Sequence, residues 1–340
     1  MIARFAVIGC GRIFQNHLDA IKKAPHAKLV AVCDIVEEKA KKAAFEGGLN
    51  KWYTNAEEMF QKEKIDVCCI LTPSGTHCEC TCLAAKHGVN VLCEKPLDVT
   101  KEKMQKMIDC CKENKVKLGA IFQRRTYDGA VQIKKIIEKG GLGKVTLASA
   151  SLNYYRDQEY YDSGEWRGTW ELDGGGALMN QGVHGIDMLC WIMGGIHSVY
   201  ARCERLVWEI ETEDTAVVNV TFQNGAIGVI QGTTTAYPGL DTIFSFYGPG
   251  GSVSFGNHQL YLWNLKDKAI EKPKIYNSMG GNNCQYSDHN DGHITQIEDM
   301  AMAVLEDRAP MIPGEEAKKS VEIVLAIYES ARTGKEVILK

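Results

Sequence analysis

Three groups of residues have the types and spacing to do chemistry. Lys95 stands between Glu94 and Pro96, where the apolar run Val89 to Cys93 ends. Pro96 biases it away from helical geometry, so its ammonium is expected to project from a strand end into a ligand cleft. Asn180, His184 and Asp187 fall at i, i+4 and i+7 of a segment read as helix from Ala177 to Met193, which predicts one polar stripe. An imidazole accepts a proton near neutral pH, and an ammonium stabilises negative charge growing on oxygen. The pair suits removal of a proton from a hydroxyl, given a base within hydrogen-bond reach. A single lysine is ordinarily a surface group and a single helical histidine ordinarily structural. The strand-end position and the flanking Asn and Asp favour function here. The third group is Gly9-Cys10-Gly11, which closes an apolar run at 4–9.

The elements around these residues form an alternation. Strand 4–9, the glycine turn, a helical pattern from about Ile13 to Lys23, a strand Lys28 to Cys33 and then Asp34 make one βαβ unit of a dinucleotide fold. Gly9 permits the tight turn, Gly11 lets the backbone approach a pyrophosphate, and the helix N-terminus offers its N–H groups to the anion. The third glycine position is Phe14, so the formal fingerprint is incomplete. Asp34 is placed to accept from the adenosine ribose hydroxyls and to repel a 2′-phosphate, and Ile35-Val36-Glu37-Glu38 brings no arginine after it. That favours NAD over NADP. Strands Asp66 to Leu71, Val89 to Cys93 and Val116 to Phe122 continue the pattern, with Thr72-Pro73 to His77 after the first of them. Their carboxyl ends line one rim of a parallel sheet, where ligands bind.

After Gln123-Arg124-Arg125 the pattern changes. A helix (about Gly129 to Lys139) leads to a strand (Lys144 to Tyr154) and an aromatic stretch running to Trp166-Arg167-Gly168-Thr169-Trp170. Gly174-Gly175-Gly176 precedes the Asn180/His184 helix, either for close backbone approach or as a flexible connection. Six strand-like runs follow between Ser198 and Leu265, with an Asn224-Gly225 hairpin signal. Helices near His293 to Glu306 and Glu315 to Thr333 close the chain. The expected fold is α/β: a Rossmann domain at 1–122, then an α/β domain at 123–340 with an open, largely antiparallel or mixed sheet. An open sheet covered on one side predicts association into a homodimer or homotetramer through the other.

Composition narrows the partners. The 340 residues suit two domains. A net charge of −4 gives no reason to expect nucleic acid or a membrane surface. No apolar run approaches the roughly 18 residues of a membrane span, and the N-terminus enters a strand directly rather than a secretory signal. Thirteen cysteines, an odd number and several in apolar runs, suit a reducing cytoplasm. Cys78, Cys80 and Cys82 lie two apart on a helical pattern, so Cys80 points away from the other two, and no metal site is expected.

These features together resemble the Gfo/Idh/MocA oxidoreductases over essentially the whole chain. The resemblance rests on Gly9 to Ile13, Thr72-Pro73 with His77, Glu94-Lys95-Pro96, Gly174 to Asp187, and the run Pro313 to Ala331. It implies an NAD-dependent dehydrogenase acting on a secondary hydroxyl, expected at C3, of a sugar, nucleotide sugar or polyol. Lys95 and His184 would flank the reacting carbinol, His184 as general base and Lys95 polarising the oxygen. It further implies substrate contacts from Asn180, Gln181 and Arg125. Cofactor contacts are implied for Gly9, Gly11, Arg12, Ile13, Asp34, Thr72, Pro73, His77, Glu94, Lys95, Gln123, Trp166 and Arg167. Family members often carry Asp where Asn180 stands, so this chain lacks a carboxylate that a three-residue proton relay would use there. Trp166 to Trp170 and Leu178 to Gly182 are most similar to a branch acting at C3 of UDP-linked amino-sugar uronates. Two alternatives come with the family: glycoside cleavage by transient C3 oxidation with NAD retained, and a sensor that binds dinucleotide without turnover. Retention of both Lys95 and His184 argues against the sensor.

Overall fold

The computed structural model describes residues 1–256, 259–273 and 292–339. Contacts divide the chain into two units: Met1–Gln123 with Asp291–Lys319, and Arg124–Asn290 with Ser320–Lys340.

The first unit alternates strand and helix: β1 (Ala3–Ile8), α1 (Phe14–Lys23), β2 (Ala27–Cys33), α2 (Glu37–Gly47), α3 (Ala56–Lys62), β3 (Val67–Ile70), α4 (His77–Lys86), β4 (Asn90–Cys93), α5 (Lys101–Glu113) and β5 (Leu118–Ala120). Strands such as β3, Val-Cys-Cys-Ile with every residue buried, need cover on both faces, which is the condition of a parallel sheet. The order is β2-β1-β3-β4-β5 with all pairings parallel. The chain reverses direction across the sheet between β1 and β3, so a crevice is expected outside their carboxyl ends. This is the Rossmann arrangement. Several helix starts are locally determined: Asn55 accepts from the N–H groups of Glu57 and Glu58, and Thr100 from that of Lys103.

In the second unit α6 (Asp128–Glu138), β6 (Leu147–Asn153) and α7 (Gln158–Asp162) precede a π-helical turn, Ala177–Gly182, that runs into α8 (Val183–Met193). Strands β7 (Ile196–Glu204), β8 (Thr215–Phe222), β9 (Ile227–Thr233), β10 (Thr242–Gly248), β11 (Gly251–Gly256) and β12 (Leu260–Leu265) follow. Among the described residues the sheet has eight strands, ordered β12-β11-β10-β6-β9-β8-β7-β13, where β13 is Val337–Ile338. Only β6–β9 is parallel, so the sheet is mixed. Strand β8 shows why one face is covered: Ala216, Val218, Val220 and Phe222 are buried while Val217 and Asn219 are exposed. On the covered face α8 lies so close to β6 that a Cβ at Gly185 would meet Leu152 at 2.3 Å.

Two helices depart from a simple division at residue 122. Helix α9 (Gly292–Leu305) buries Ile297, Met300 and Ala301 in the same core as Phe5, Leu18, Ile21 and Val32, so it belongs to the first unit. Helix α10 (Gly314–Thr333) gives its first residues to the first unit and, from Ser320, the rest to the second. The sequence pattern places all of 123–340 in one domain. A returning helix is set by which core its apolar face fits, and chain order carries no sign of that.

Candidate dinucleotide cradle and polar helix cluster

In the first unit the glycine turn follows β1. Gly9 has φ +95°, and a Cβ there would meet the Leu71 carbonyl carbon at 2.7 Å, so the turn is pressed against the end of β3. A Cβ at Gly11 would meet nothing within 4 Å, which leaves room beside the loop. Helix α1 has no side-chain cap and no acid in its first turn, so no side chain competes with an anion for the end of the helix dipole. Asp34 is fixed by the N–H groups of Cys10 and Val36, each donating to one carboxylate oxygen at 2.8 Å. A carboxylate has about four acceptor positions, so capacity for ribose hydroxyls remains. These residues fit a dinucleotide. Arg12 and Ile13 stand at the same turn, Arg12 exposed and Ile13 half-buried. Burial, ahead of the Asp34 charge, pushes the Cys10 thiol up to about 12, so it is no nucleophile.

The segment after β4 is held from below. Glu94 is turned inward: Oε1 lies 2.8 Å from His17 Nε2 and 3.6 Å from His293 Nε2, while the Lys95 N–H donates to Oε2 at 3.1 Å. Burial alone would raise this carboxyl, but the hydrogen bonds and charges of the two histidines hold it well below the usual range. The 2.8 Å separation is a hydrogen bond, shorter than the roughly 3.3 Å between two ligands on a tetrahedral ion. His77 is also buried, its ring nitrogens 2.9 Å from the carbonyl oxygens of Pro96 and Thr72. Both side chains therefore brace the loops around Lys95. Thr72 meets Thr76 through their hydroxyls, and Gln123 begins a 3₁₀ turn, Gln123–Thr126. Cys80 turns to Thr72 and away from Cys82, as its helical spacing predicts.

In the second unit the glycine stem is a close approach, not a flexible connection: a Cβ at Gly176 would meet the Glu213 carbonyl oxygen at 1.9 Å. The turn that follows is π-helical, so Asn180 does not keep the 3.6-residue register with His184 that the sequence spacing predicts, while His184 and Asp187 share the regular helix α8. Asn180 and His184 stay on the helix and its leading turn. Asp187 faces the interior, where it takes a bidentate pair from Arg125 at 2.8 and 2.6 Å and a hydrogen bond from Ser320. Arg125 is thus committed to Asp187 and buried with it. Asn180 donates to Asp173 at 2.5 Å, so the carboxylate absent at position 180 stands one hydrogen bond away. Gln181 donates to Asn180 Oδ1 and to the Tyr160 hydroxyl, and accepts from Arg156.

Tyr160 is the centre of a cationic group of which the family resemblance implies only Trp166 and Arg167, as cofactor contacts. The guanidinium carbons of Arg167 and Arg156 lie 4.4 and 5.2 Å from its ring centroid, and Arg167 also stacks on Trp166 at 4.6 Å. Arg167 donates to the Tyr160 hydroxyl at 2.6 Å. Beside Arg167 a cleft of about 740 Å³ opens, walled also by Trp208 and Ile210. Asn180, Gln181 and His184 are not among its walls, so it adjoins their cluster without being formed by it. The run Glu211 to Asp214 ties the region together. Glu211 accepts from the Trp170 N–H, Glu213 from those of Gly176 and Leu178, and Asp214 from those of Leu206, Val207 and Trp208. An acid-rich run just before a strand was the available signal for it.

Known proteins place the chain. Residues 3–122 match the oxidoreductase family's NAD-binding Rossmann fold, and residues 130–254 match the GFO/IDH/MocA C-terminal domain. The WlbA dehydrogenase from Bordetella pertussis, solved in complex with NADH and UDP-GlcNAcA, is 32% identical, with a TM-score of 0.89 over 100% of this chain and 99% of that one. The Chromobacterium violaceum WlbA complex with the same two ligands is 31% identical, with a TM-score of 0.89 over 100% and 96%. Myo-inositol 2-dehydrogenase from Thermotoga maritima is 26% identical over 99% of this chain and 98% of its own. A Rossmann unit with a dinucleotide cradle, joined to a mixed-sheet unit with a polar helix cluster, defines an NAD-binding oxidoreductase. The chain belongs to the GFO/IDH/MocA family, and NAD is its cofactor.

Proposed function

We propose that the protein oxidises a secondary hydroxyl, at C3, of a sugar bearing an anionic group, a nucleotide-linked uronate fitting best. One observation carries the anionic part. Arg156 and Arg167 are half-buried against the same tyrosine, and among the described residues neither meets a carboxylate. Two guanidiniums left without an acid beside Gln181 call for a carboxylate or phosphate from the ligand, with forked charge-assisted hydrogen bonds. The UDP-GlcNAcA bound by the WlbA relatives has that chemistry. His184 takes the hydroxyl proton, and the Lys95 ammonium stabilises the charge that grows on oxygen as the C–H electrons leave. Bound NAD supplies the hydride acceptor. The test is turnover of a UDP-linked amino-sugar uronate against the same nucleotide sugar with a neutral C6. Preference for the uronate, lost in Arg156→Met, is expected. Equal or better use of the neutral sugar overturns the anionic assignment.

The carboxylate at Asp34 supports a preference for NAD(H) over NADP(H). Titration of both cofactors should show tighter NAD(H) binding, and Asp34→Ala should narrow the difference by roughly tenfold, the worth of about 1.4 kcal/mol of lost repulsion. Stronger NADP(H) binding by the unaltered protein defeats this reading.

The uncovered sheet face supports a homo-oligomer. Tyr200, Val217 and Ile227 are 50, 52 and 62% exposed on it, and register sets Ile227 beside Leu147. A second copy of the chain is the occupant proposed. Light scattering at micromolar concentration should give a dimer or tetramer, with the double variant Val217→Glu/Ile227→Glu shifted to smaller species. A monomeric parent protein rules it out. No helix among the described residues is long and apolar enough to cross a membrane, and the described cysteines are free thiols, which supports a cytoplasmic setting.

A further inference from the structure

Glu213 is a fully enclosed carboxylate that the reaction just described does not use. Three donors converge on it. The Leu178 N–H and the Tyr328 hydroxyl reach Oε1 at 2.8 and 2.9 Å, and the Gly176 N–H reaches Oε2 at 3.0 Å. Its backbone carbonyl accepts from the Ala177 N–H at 2.9 Å. Gly176, Ala177 and Leu178 open the π turn that carries Asn180 and Gln181 and runs into α8 with His184. The carboxylate therefore sits where a helix start favours negative charge. The close approach of Gly176 to the Glu213 backbone leaves the stem no room to shift toward it.

We propose that ionised Glu213 is a positioning residue for turnover, clamping the start of the helix so that Asn180, Gln181 and His184 hold their working geometry. The inference rests on the assignment of His184 as the base. With the residue's own N–H as a further donor, every acceptor position of the carboxylate is taken. When it is protonated, one oxygen carries a hydrogen directed at a donor, and a clamp contact is lost. Burial pushes the Glu213 carboxyl up to about 7, against the Leu178, Gly176 and Tyr328 hydrogen bonds that pull it down. The titratable groups around it are Tyr328 on α10, Cys203 on β7 and Tyr161 on α7, the last also facing Asp173. Burial pushes the Tyr161 hydroxyl and the Cys203 thiol up to about 12 and Tyr328 well above its ordinary value. All three stay neutral where Glu213 changes charge. The ionised fraction rises as pH climbs through that region, so turnover should rise with it.

The experiment is the pH profile of kcat for the parent, Tyr328→Phe, Glu213→Gln and the double variant. Tyr328→Phe removes a hydrogen bond that favours the ionised form, so the acid limb should move to higher pH by roughly one unit. Glu213→Gln should lower kcat about tenfold with NAD binding unchanged, and adding Tyr328→Phe to it should leave the limb in place. An acid limb that ignores Tyr328→Phe, in an enzyme that loses turnover with His184→Ala, overturns the clamp and leaves the base assignment standing. Full turnover in His184→Ala removes the base assignment itself. Should Tyr328→Phe fail to fold, infrared titration of the parent decides. A protonated-carboxyl band that grows below neutral pH, and is missing in Glu213→Gln, supports the clamp, and its absence defeats it.

Discussion

Replacing His184 with alanine should lower turnover by about 10² or more, the usual scale for a positioned acid–base group, while NAD binding stays nearly intact. His184 is buried in the second unit, on the helix whose stem is fixed by Glu213 and whose neighbour Asn180 is held by Asp173. The cradle residues Gly9, Gly11 and Asp34 all belong to the first unit, so losing the imidazole alters none of them. Lys95→Ala should cost turnover on the same scale by removing the ammonium that stabilises charge on oxygen. Lys95 follows directly on the braced Glu94, so some loss of cofactor affinity is expected with it. Steady-state kinetics on an identified substrate and calorimetric titration of NAD separate the two effects. If His184→Ala keeps full turnover, the histidine is structural.

What the sequence made legible was local in origin. The strand, glycine turn, helix and terminal acid of the cradle span residues 4–34, and the residue types that mark them all lie within that stretch. Lys95 was readable because the residues beside it mark a strand end. The polar helix was legible only in part. A spacing argument assumes 3.6 residues per turn, and the π turn at Ala177–Gly182 breaks that assumption just before His184. That moves Asn180 out of register with His184, while Asp187, on the same regular helix as His184, is taken by Arg125, 62 residues away. Glu213 reaches Leu178 across 35 residues, and His293 stands near Glu94 from the far end of the chain. Such pairings are chosen by packing, and nothing in either partner's neighbourhood advertises the other. The same holds for Tyr160, whose two arginines lie within a sequence stretch rich in aromatics but are brought to one ring only by the fold.

Asp187→Ala should be the most destabilising of these single substitutions, by about 3–5 kcal/mol. The pair it breaks is enclosed: the Arg125 and Asp187 side chains are 8 and 1% exposed. Both guanidinium contacts end on the two carboxylate oxygens, and Ser320 on α10 adds a third bond to the same group. Truncating Asp187 strands the arginine charge in the interior, and water cannot reach it without opening α8 from its neighbours. That penalty, rather than the worth of the pair, sets the loss, because the attraction between buried ions is largely offset by their desolvation. The distinction is measurable. Asp187→Asn keeps an acceptor for Arg125 and should lose less than Asp187→Ala. A double variant Arg125→Met/Asp187→Leu removes both charges and should recover much of the stability. In thermal melts the alanine variant should fall by roughly 10 °C, taking a few degrees per kcal/mol for a chain of this size. Equal melting temperatures for the alanine and double variants would show that the stranded charge is not the cause, and a fall of only a degree or two would mean that Arg125 finds another partner or solvent.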